Sequence, residues 1–211
     1  MANLSENATV KVLNEKHPKS VLAVEENLGY LVVTVKREDI HVVSRTLKEN
    51  PETDYNLLLD LCGVDYSGYG KRREGTVAAT IEWPGNEAQT LDRKERFDIV
   101  YHLYSFPQKH RVRLKVRVSE EDPVVDSVTS VWRAANWFER EAYDLFGISF
   151  KGHPDMRRIL CHQDFKGHAL RKDYAPDRRH LLSHTYDAFR PEDIERFERE
   201  GVEVSKDEGK A

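Results

Sequence analysis

Cysteine is nearly absent. Cys62 and Cys161 are the only two in 211 residues, with neither CxxC spacing nor a secretory context. That shortage argues against a disulfide framework and against a four-thiolate iron–sulfur site within the chain, and it fits a cytosolic setting. Long apolar runs are missing too: none approaches the roughly 20 residues that a membrane-spanning helix needs. Nor is there a basic excess. Lys and Arg number 33 against 37 Asp and Glu, a net charge of −4 that argues against a general nucleic-acid binder. Neither GxGxxG nor GxxxxGK occurs, so no nucleotide site is expected. The opening MANLSENATVKVL has no basic n-region and no apolar h-region, and reads as neither signal nor transit peptide. There is no internal repeat.

What the chain has in quantity is charge. Charged residues make up 33% and hydrophobic ones 39%, the composition of a soluble but unusually polar globular protein. The length allows one large domain, or one domain with an appendage. Tyr30–Lys36 is β-branched and strand-like, after a turn at Asn27-Leu28-Gly29. Over Glu38–Glu49, Ile40, Val43 and Leu47 recur at helical spacing. Tyr55–Val64 is a dense apolar run that suits a short helix or a buried strand. Thr76–Trp83 and Arg96–Phe106 are strands by composition. In Arg111–Ser119, Val112, Leu114, Val116 and Val118 alternate with Arg113, Lys115 and Arg117, which predicts a strand with one buried and one basic face. The turn Phe106–His110 joins the last two strands as a hairpin. Asp122-Pro123 supplies a cap and a first-turn proline, and predicts a helical region continuing to about Gly147. The fold class is α+β, an antiparallel-rich mixed sheet with helices on one face.

Beyond residue 150 the character changes. Residues 151–211 hold 13 Lys/Arg, 13 Asp/Glu and five of the nine His, with no sustained period of 2 or 3.6 before Pro191. So long a polar, irregular stretch is uncommon inside a compact domain. Either it is disordered, or it is ordered against another protein. The scattered anchors Met156, Ile159, Leu160, Phe165, Leu170, Tyr174, Leu181, Leu182, Tyr186 and Phe189 favour the second. Pro191–Glu200 suits a short charged helix, and the last ten residues a frayed tail. The organisation is therefore a globular domain over 1–150 and an extended interface segment over 151–211.

Candidate chemistry is thin. His153, His162, His168, His180 and His184 with Cys161 suggest a metal site, and with it a stand-alone metal-dependent hydrolase. Yet only His180 and His184 are closely spaced, no third ligand follows at fixed spacing, and solvated or satisfied histidines are the ordinary outcome. Cys161 beside His162 imitates a thiol–base pair, but adjacent side chains rarely face each other. Glu139, Glu141 and Asp144 have the makings of acid–base carboxylates, although such residues more often pair with arginines such as Arg140, Arg157 or Arg158. No catalytic, cofactor-binding or metal-ligating residue is assigned.

Glu139–Leu160, EREAYDLFGISFKGHPDMRRIL, is the densest stretch. Trp137, Tyr143 or Phe138, and Phe146 can share the buried side of a helix that leaves its charges at the margins or against a partner. Gly147 suits the left-handed C′ position, and Ile148-Ser149-Phe150 then runs extended. Together with GHALRKDYAP at Gly167–Pro176, this stretch resembles the signature of the C subunit, or 30 kDa subunit, of the proton-pumping NADH-quinone oxidoreductases, respiratory complex I. The likeness reaches upstream through SVTSVW at Ser127–Trp132 and weakly to LLDLCGVD at Leu58–Asp65, and departs at Ala142 and Ala169.

The resemblance implies a peripheral-arm subunit without a redox centre, on the cytoplasmic face of a bacterial inner membrane. It implies an extended C-terminal segment lying along the D subunit, which bears the quinone cavity, near the cluster-bearing B and I subunits. FMN and the iron–sulfur clusters that carry electrons from NADH to quinone would then belong to partners. A homologous subunit of a membrane-bound hydrogenase, or of a dehydrogenase with another donor, is the nearest alternative. Glu139, Arg140, Asp144, His153, Arg157, Arg158, Arg171, Lys172 and Asp173 are expected to orient the segment at a subunit interface. Arginine's planar fork suits a fixed contact of this kind.

Overall fold

The computed structural model describes residues 6–67, 94–163 and 165–175. The predicted strand at Thr76–Trp83, the helix at Pro191–Glu200, the anchors beyond Ala175 and the His180/His184 pair lie outside them. Contacts divide the chain into one unit of 1–163 and 167–178 and a second of 164–166 and 179–211. All the elements named below belong to the first.

In chain order the elements are α1 (Ala8–Lys16), β1 (Val21–Asn27), β2 (Tyr30–Val35), α2 (Ile40–Glu49), β3 (Leu57–Asp65), β4 (Phe97–Ser105), β5 (His110–Val118), β6 (Val124–Asp126), α3 (Ala135–Phe146) and β7 (Ser149–Lys151). Among the described residues, five strands form one sheet in the order β1-β2-β5-β4-β3, in which only β2 and β5 run parallel. The β1–β2 hairpin turns on Leu28 and Gly29, both at positive φ (51° and 77°). Two such residues in succession match the twist of the flanking strands. The dense run at Tyr55–Val64 resolves into a strand: β3 pairs antiparallel with β4, with a register shift between Leu58 and Asp60.

The core lies on one face of this sheet. Leu31, Val33 and Val35 of β2, Ile99, Tyr101 and Leu103 of β4, and Val112, Leu114, Val116 and Val118 of β5 are buried there. Val10 and Leu13 of α1, Ile40, Val43 and Leu47 of α2, and Ala135, Ala142 and Phe146 of α3 join the same cluster. At about 25 cal/mol per Å² of apolar surface, this burial is the main term holding the fold together. Gly63 decides how closely α3 approaches β3, because a Cβ there would stand 2.6 Å from the Phe146 ring.

The long helix expected from Asp122 does not form. Val124-Val125 is β-branched and pairs in parallel with Ser149–Lys151 as a separate two-stranded ribbon. The Asp122 carboxylate meets Arg37 at 2.8 Å instead of capping a helix. Helix α3 begins only at Ala135 and ends as expected, with Gly147 left-handed (φ 75°, ψ 28°) and its N–H donated to the Tyr143 carbonyl. Its buried face also departs from expectation. Trp137 is 62% exposed, whereas Glu139 and Asp144 are fully buried. Ala135, Glu139, Ala142 and Phe146 fall on one helical stripe, so a carboxylate occupies a core position.

Candidate functional site

Residues 152–175 contain neither helix nor strand among those described, in line with the missing periodicity. Their order comes from polar anchors. The first is Asp144, near the C-terminal end of α3. Its Oδ1 accepts from Arg158 at 2.7 Å, and its Oδ2 accepts the backbone N–H groups of Ile159, Leu160 and Cys161 at 3.0, 2.8 and 2.8 Å. Burial alone raises this carboxyl, but the N–H groups of Cys161 and Leu160, with Arg158 and the Ile159 N–H, outweigh it and hold the pKa below its usual value. An irregular segment has no ladder to satisfy its amides, and here a buried carboxylate takes three of them.

The second anchor uses the unpaired carbonyls at the end of α3. His168 Nδ1 donates to the Asp144 carbonyl at 2.9 Å, and Arg171 Nε donates to the Phe146 carbonyl at 2.7 Å. The Arg171 guanidinium also lies over the Phe97 ring, 5.2 Å from its centroid. Only glycine permits this arrangement at 147. A Cβ there would meet the His168 ring at 2.5 Å and Arg171 at 2.7 Å.

Arg96 forms the third anchor. It grips Asp65 through two bonds, 3.1 and 2.8 Å, and Asp173 through two more, 2.6 and 3.2 Å, and also meets Glu120. The Lys172 N–H donates to Asp65 at 2.8 Å. Asp65 is buried, which raises its pKa; Arg96 and the Lys172 and Ser67 amides reverse this and bring it far below the carboxylate range. Arg96 likewise lowers Asp173.

The remaining predicted residues fall around these anchors. Arg140 donates to the carbonyls of Arg157 and Arg158 at 3.0 and 3.2 Å, beneath the exposed Trp137 ring. His153 donates from Nε2 to the Asn136 carbonyl at 3.1 Å and accepts the Asp155 N–H on Nδ1 at 3.0 Å, which defines its tautomer and closes the turn after β7. Arg157 is exposed and pairs locally with Asp155. Glu139 stands apart from the segment. It accepts Ser127 Oγ and the Val128 N–H, each at 2.7 Å, and so fixes the loop before α3. Burial pushes its carboxyl up to about 7 despite those two bonds. With no exposed surface, Glu139 and Asp144 act within the chain.

Local sequence pattern does not single out Asp65, Arg96 or Glu120 as anchors, and it offers His168 only as a metal ligand. Asp65 ends the weak LLDLCGVD match. Arg96 is 31 residues from Asp65 and 77 from Asp173, a distance across which local pattern carries no signal.

Residues 33–180, a span that includes every anchor, match the family profile described as the respiratory-chain NADH dehydrogenase 30 kDa subunit. The C subunit of NADH-quinone oxidoreductase from Geotalea uraniireducens is 44% identical over 183 residues, covering 84% of this chain and 95% of that protein. Its counterpart in Geobacter sulfurreducens is 43% identical over 175 residues, covering 82% and 93%. A chain in the solved structure of a membrane-bound sulfane sulfur reductase, an archaeal respiratory membrane complex, superposes with a TM-score of 0.55 over 96% of each chain at 20% identity, a likeness of fold.

Proposed function

Since the chain belongs to the respiratory-chain NADH dehydrogenase 30 kDa subunit family, we propose that it is a non-redox scaffold of the peripheral arm, whose C-terminal segment binds the quinone-site subunit. The observation that carries this reading is the triple anchoring of residues 158–161 and 168–173 at Asp144, at the end of α3 and at Arg96. Such anchoring gives a segment without secondary structure one path over the domain, and so one surface for a partner. Trp137, Leu160 and Leu170 stay exposed along that path, as does Arg157. Exposed tryptophan and arginine are the side chains most enriched where protein partners are held.

On this reading the chain contributes no catalytic residue. The buried carboxylates serve shape: Asp144 and Asp65 are held ionised by internal donors, and Glu139, raised to about 7, is fully enclosed and turned to Ser127 and Val128 within the chain. Electrons would pass from NADH through flavin and iron–sulfur clusters in other subunits to quinone, with the D, B and I subunits as neighbours. On this reading the chain sits peripherally on the cytoplasmic face; none of the described helices is long and apolar enough to cross a membrane.

The archaeal likeness makes a subunit of a complex with another electron donor the second reading, but its 20% identity concerns fold, against 44% to a C subunit of NADH-quinone oxidoreductase. Capture of the tagged chain from its host in mild detergent, with mass spectrometry and NADH:quinone activity on the eluate, separates the two. Flavin, iron–sulfur and membrane subunits with quinone reduction support the proposal. Hydrogenase or sulfur-reductase subunits support the second reading, and a chain recovered alone overturns both.

A further inference from the structure

The sheet face away from the core carries a group of side chains that the anchoring of the segment does not use. Asp60 and Cys62 are two apart on β3, and Asp60 stands directly across from His102 on β4. Alternation places all three on the same face, opposite Leu61, Gly63, Tyr101 and Leu103. One carboxylate oxygen, the Cys62 sulfur and one His102 nitrogen lie within 4.8 Å of one another. From these positions we infer a binding site for a zinc-class divalent cation, held by Asp60, Cys62 and His102 across the β3–β4 pair.

The chemistry of the donor set selects the metal. Thiolate and imidazole favour borderline-soft ions, and with one carboxylate they form a three-ligand set that zinc completes with a fourth donor. Tetrahedral bonds of about 2.0–2.3 Å would set the donor atoms roughly 3.3–3.8 Å apart, so donors within 4.8 Å of one another need close by no more than about 1–1.5 Å. Cys62 and His102 are half-buried and Asp60 is exposed, leaving side-chain rotation free to do this without moving the backbone. The sheet supplies the rigidity that a loop site lacks.

Arg113 is an opposing group, being paired with His102 on β5. Its guanidinium lies 5.9 Å from the Tyr30 ring on β2, and its charge is felt at both Cys62 and His102. That charge weakens cation binding. A carboxylate and a thiolate together supply two negative charges, with Glu141 adding to them at Cys62, against Arg113 and against Lys115, which sits across Val100 from Cys62 on the same face. The bound ion would pin edge strand β3 to its neighbour and leave one coordination position facing outward, for water or for a donor from a partner.

The test uses the full chain, stripped of metal and titrated with cobalt(II), then with zinc as competitor. One equivalent should give tetrahedral cobalt bands together with a thiolate-to-cobalt charge-transfer band, and zinc should displace both. Cys62→Ser should abolish the charge-transfer band, and His102→Asn should abolish the tetrahedral spectrum. Cys161→Ser, which alters the only other thiol, should leave both intact, and Arg113→Met should tighten binding several-fold. Absence of the charge-transfer band at saturating cobalt, its survival in Cys62→Ser, or its loss in Cys161→Ser would each overturn the site. Binding confined to histidines elsewhere would lack that band and would also count against it. Circular dichroism of each variant shows whether a lost band reflects a lost fold.

Discussion

Replacing Asp144 with asparagine removes the charge on which Arg158 and three amides converge, while leaving the shape of the side chain. The amide keeps one acceptor oxygen and turns an N–H₂ group toward donors that cannot use it. Hydrogen bonds to a charged group contribute about 1.5–3 kcal/mol each, but bonds that share one anchor do not add. Removing one partner of a buried ion pair costs about 3–5 kcal/mol. The loss is capped by release of the segment, because Arg158 and the freed amides can then hydrate. Asp144→Asn should therefore ease local opening of residues 158–173 by ~3–4 kcal/mol, two to three orders of magnitude in the opening equilibrium. Amide hydrogen exchange reads this directly. Protection at Ile159, Leu160 and Cys161 should fall by that factor, and at Leu170–Tyr174 by less, since the Arg96 anchor remains. The amides of β4 and β5 should not change. Unaltered protection at 159–161, or an equal loss across the sheet, would refute the idea that Asp144 secures the segment locally.

Acid should release the segment in wild type. The Asp65, Asp144 and Asp173 carboxyls are lower in the folded chain than unfolded. Their stabilisation is complete above the unfolded value of about 3.9 and is lost as pH falls through the folded values; protection at 159–161 and 170–174, relative to intrinsic exchange rates, that already falls as pH drops from 7 to 5 would contradict this. Glu139 works in the opposite sense. Its pKa is raised to about 7, so the folded state is favoured with the proton on, and stability declines as pH rises from about 4.3 through 7. Denaturant unfolding of Glu139→Gln should show that decline flattened, and an unchanged slope would assign it elsewhere. Gly63→Ala should displace Phe146 from β3, where the new Cβ would stand 2.6 Å from the ring, and cost about 1–3 kcal/mol as an overpacked contact. A variant as stable as wild type would mean that α3 shifts freely.

Much of the fold was legible because it is periodic. The alternation in Arg111–Ser119 and the spacing of Ile40, Val43 and Leu47 mark elements whose residues are sorted by one buried face. Gly147 was legible for a different reason, since a glycine after an amphipathic run marks the left-handed cap. The stretch from Asp122 misled because a capping pair is a local signal. It was overridden by the pairing of Val124-Val125 with Ser149–Lys151, a long-range fact. Trp137 and Glu139 misled together, since polarity alone suggests the aromatic goes in and the carboxylate out. The helix reverses them, because Ser127 and Val128 supply the buried carboxylate with donors. Arg140, Asp144, Arg158 and Arg171 stand out in the sequence as charges in a dense stretch, but which atom each holds depends on a chain path without periodicity. Arg96 was not identifiable at all, for its partners lie 31 and 77 residues away.

The most direct test measures assembly and turnover separately in the native host, comparing wild type with Asp144→Asn. If the anchored segment acts as a scaffold, less of the variant should be recovered with NADH-quinone oxidoreductase subunits. Each complex that does assemble should reduce quinone at the wild-type rate. Wild-type recovery with selectively lost turnover would contradict the scaffold reading and move Asp144 into the chemistry.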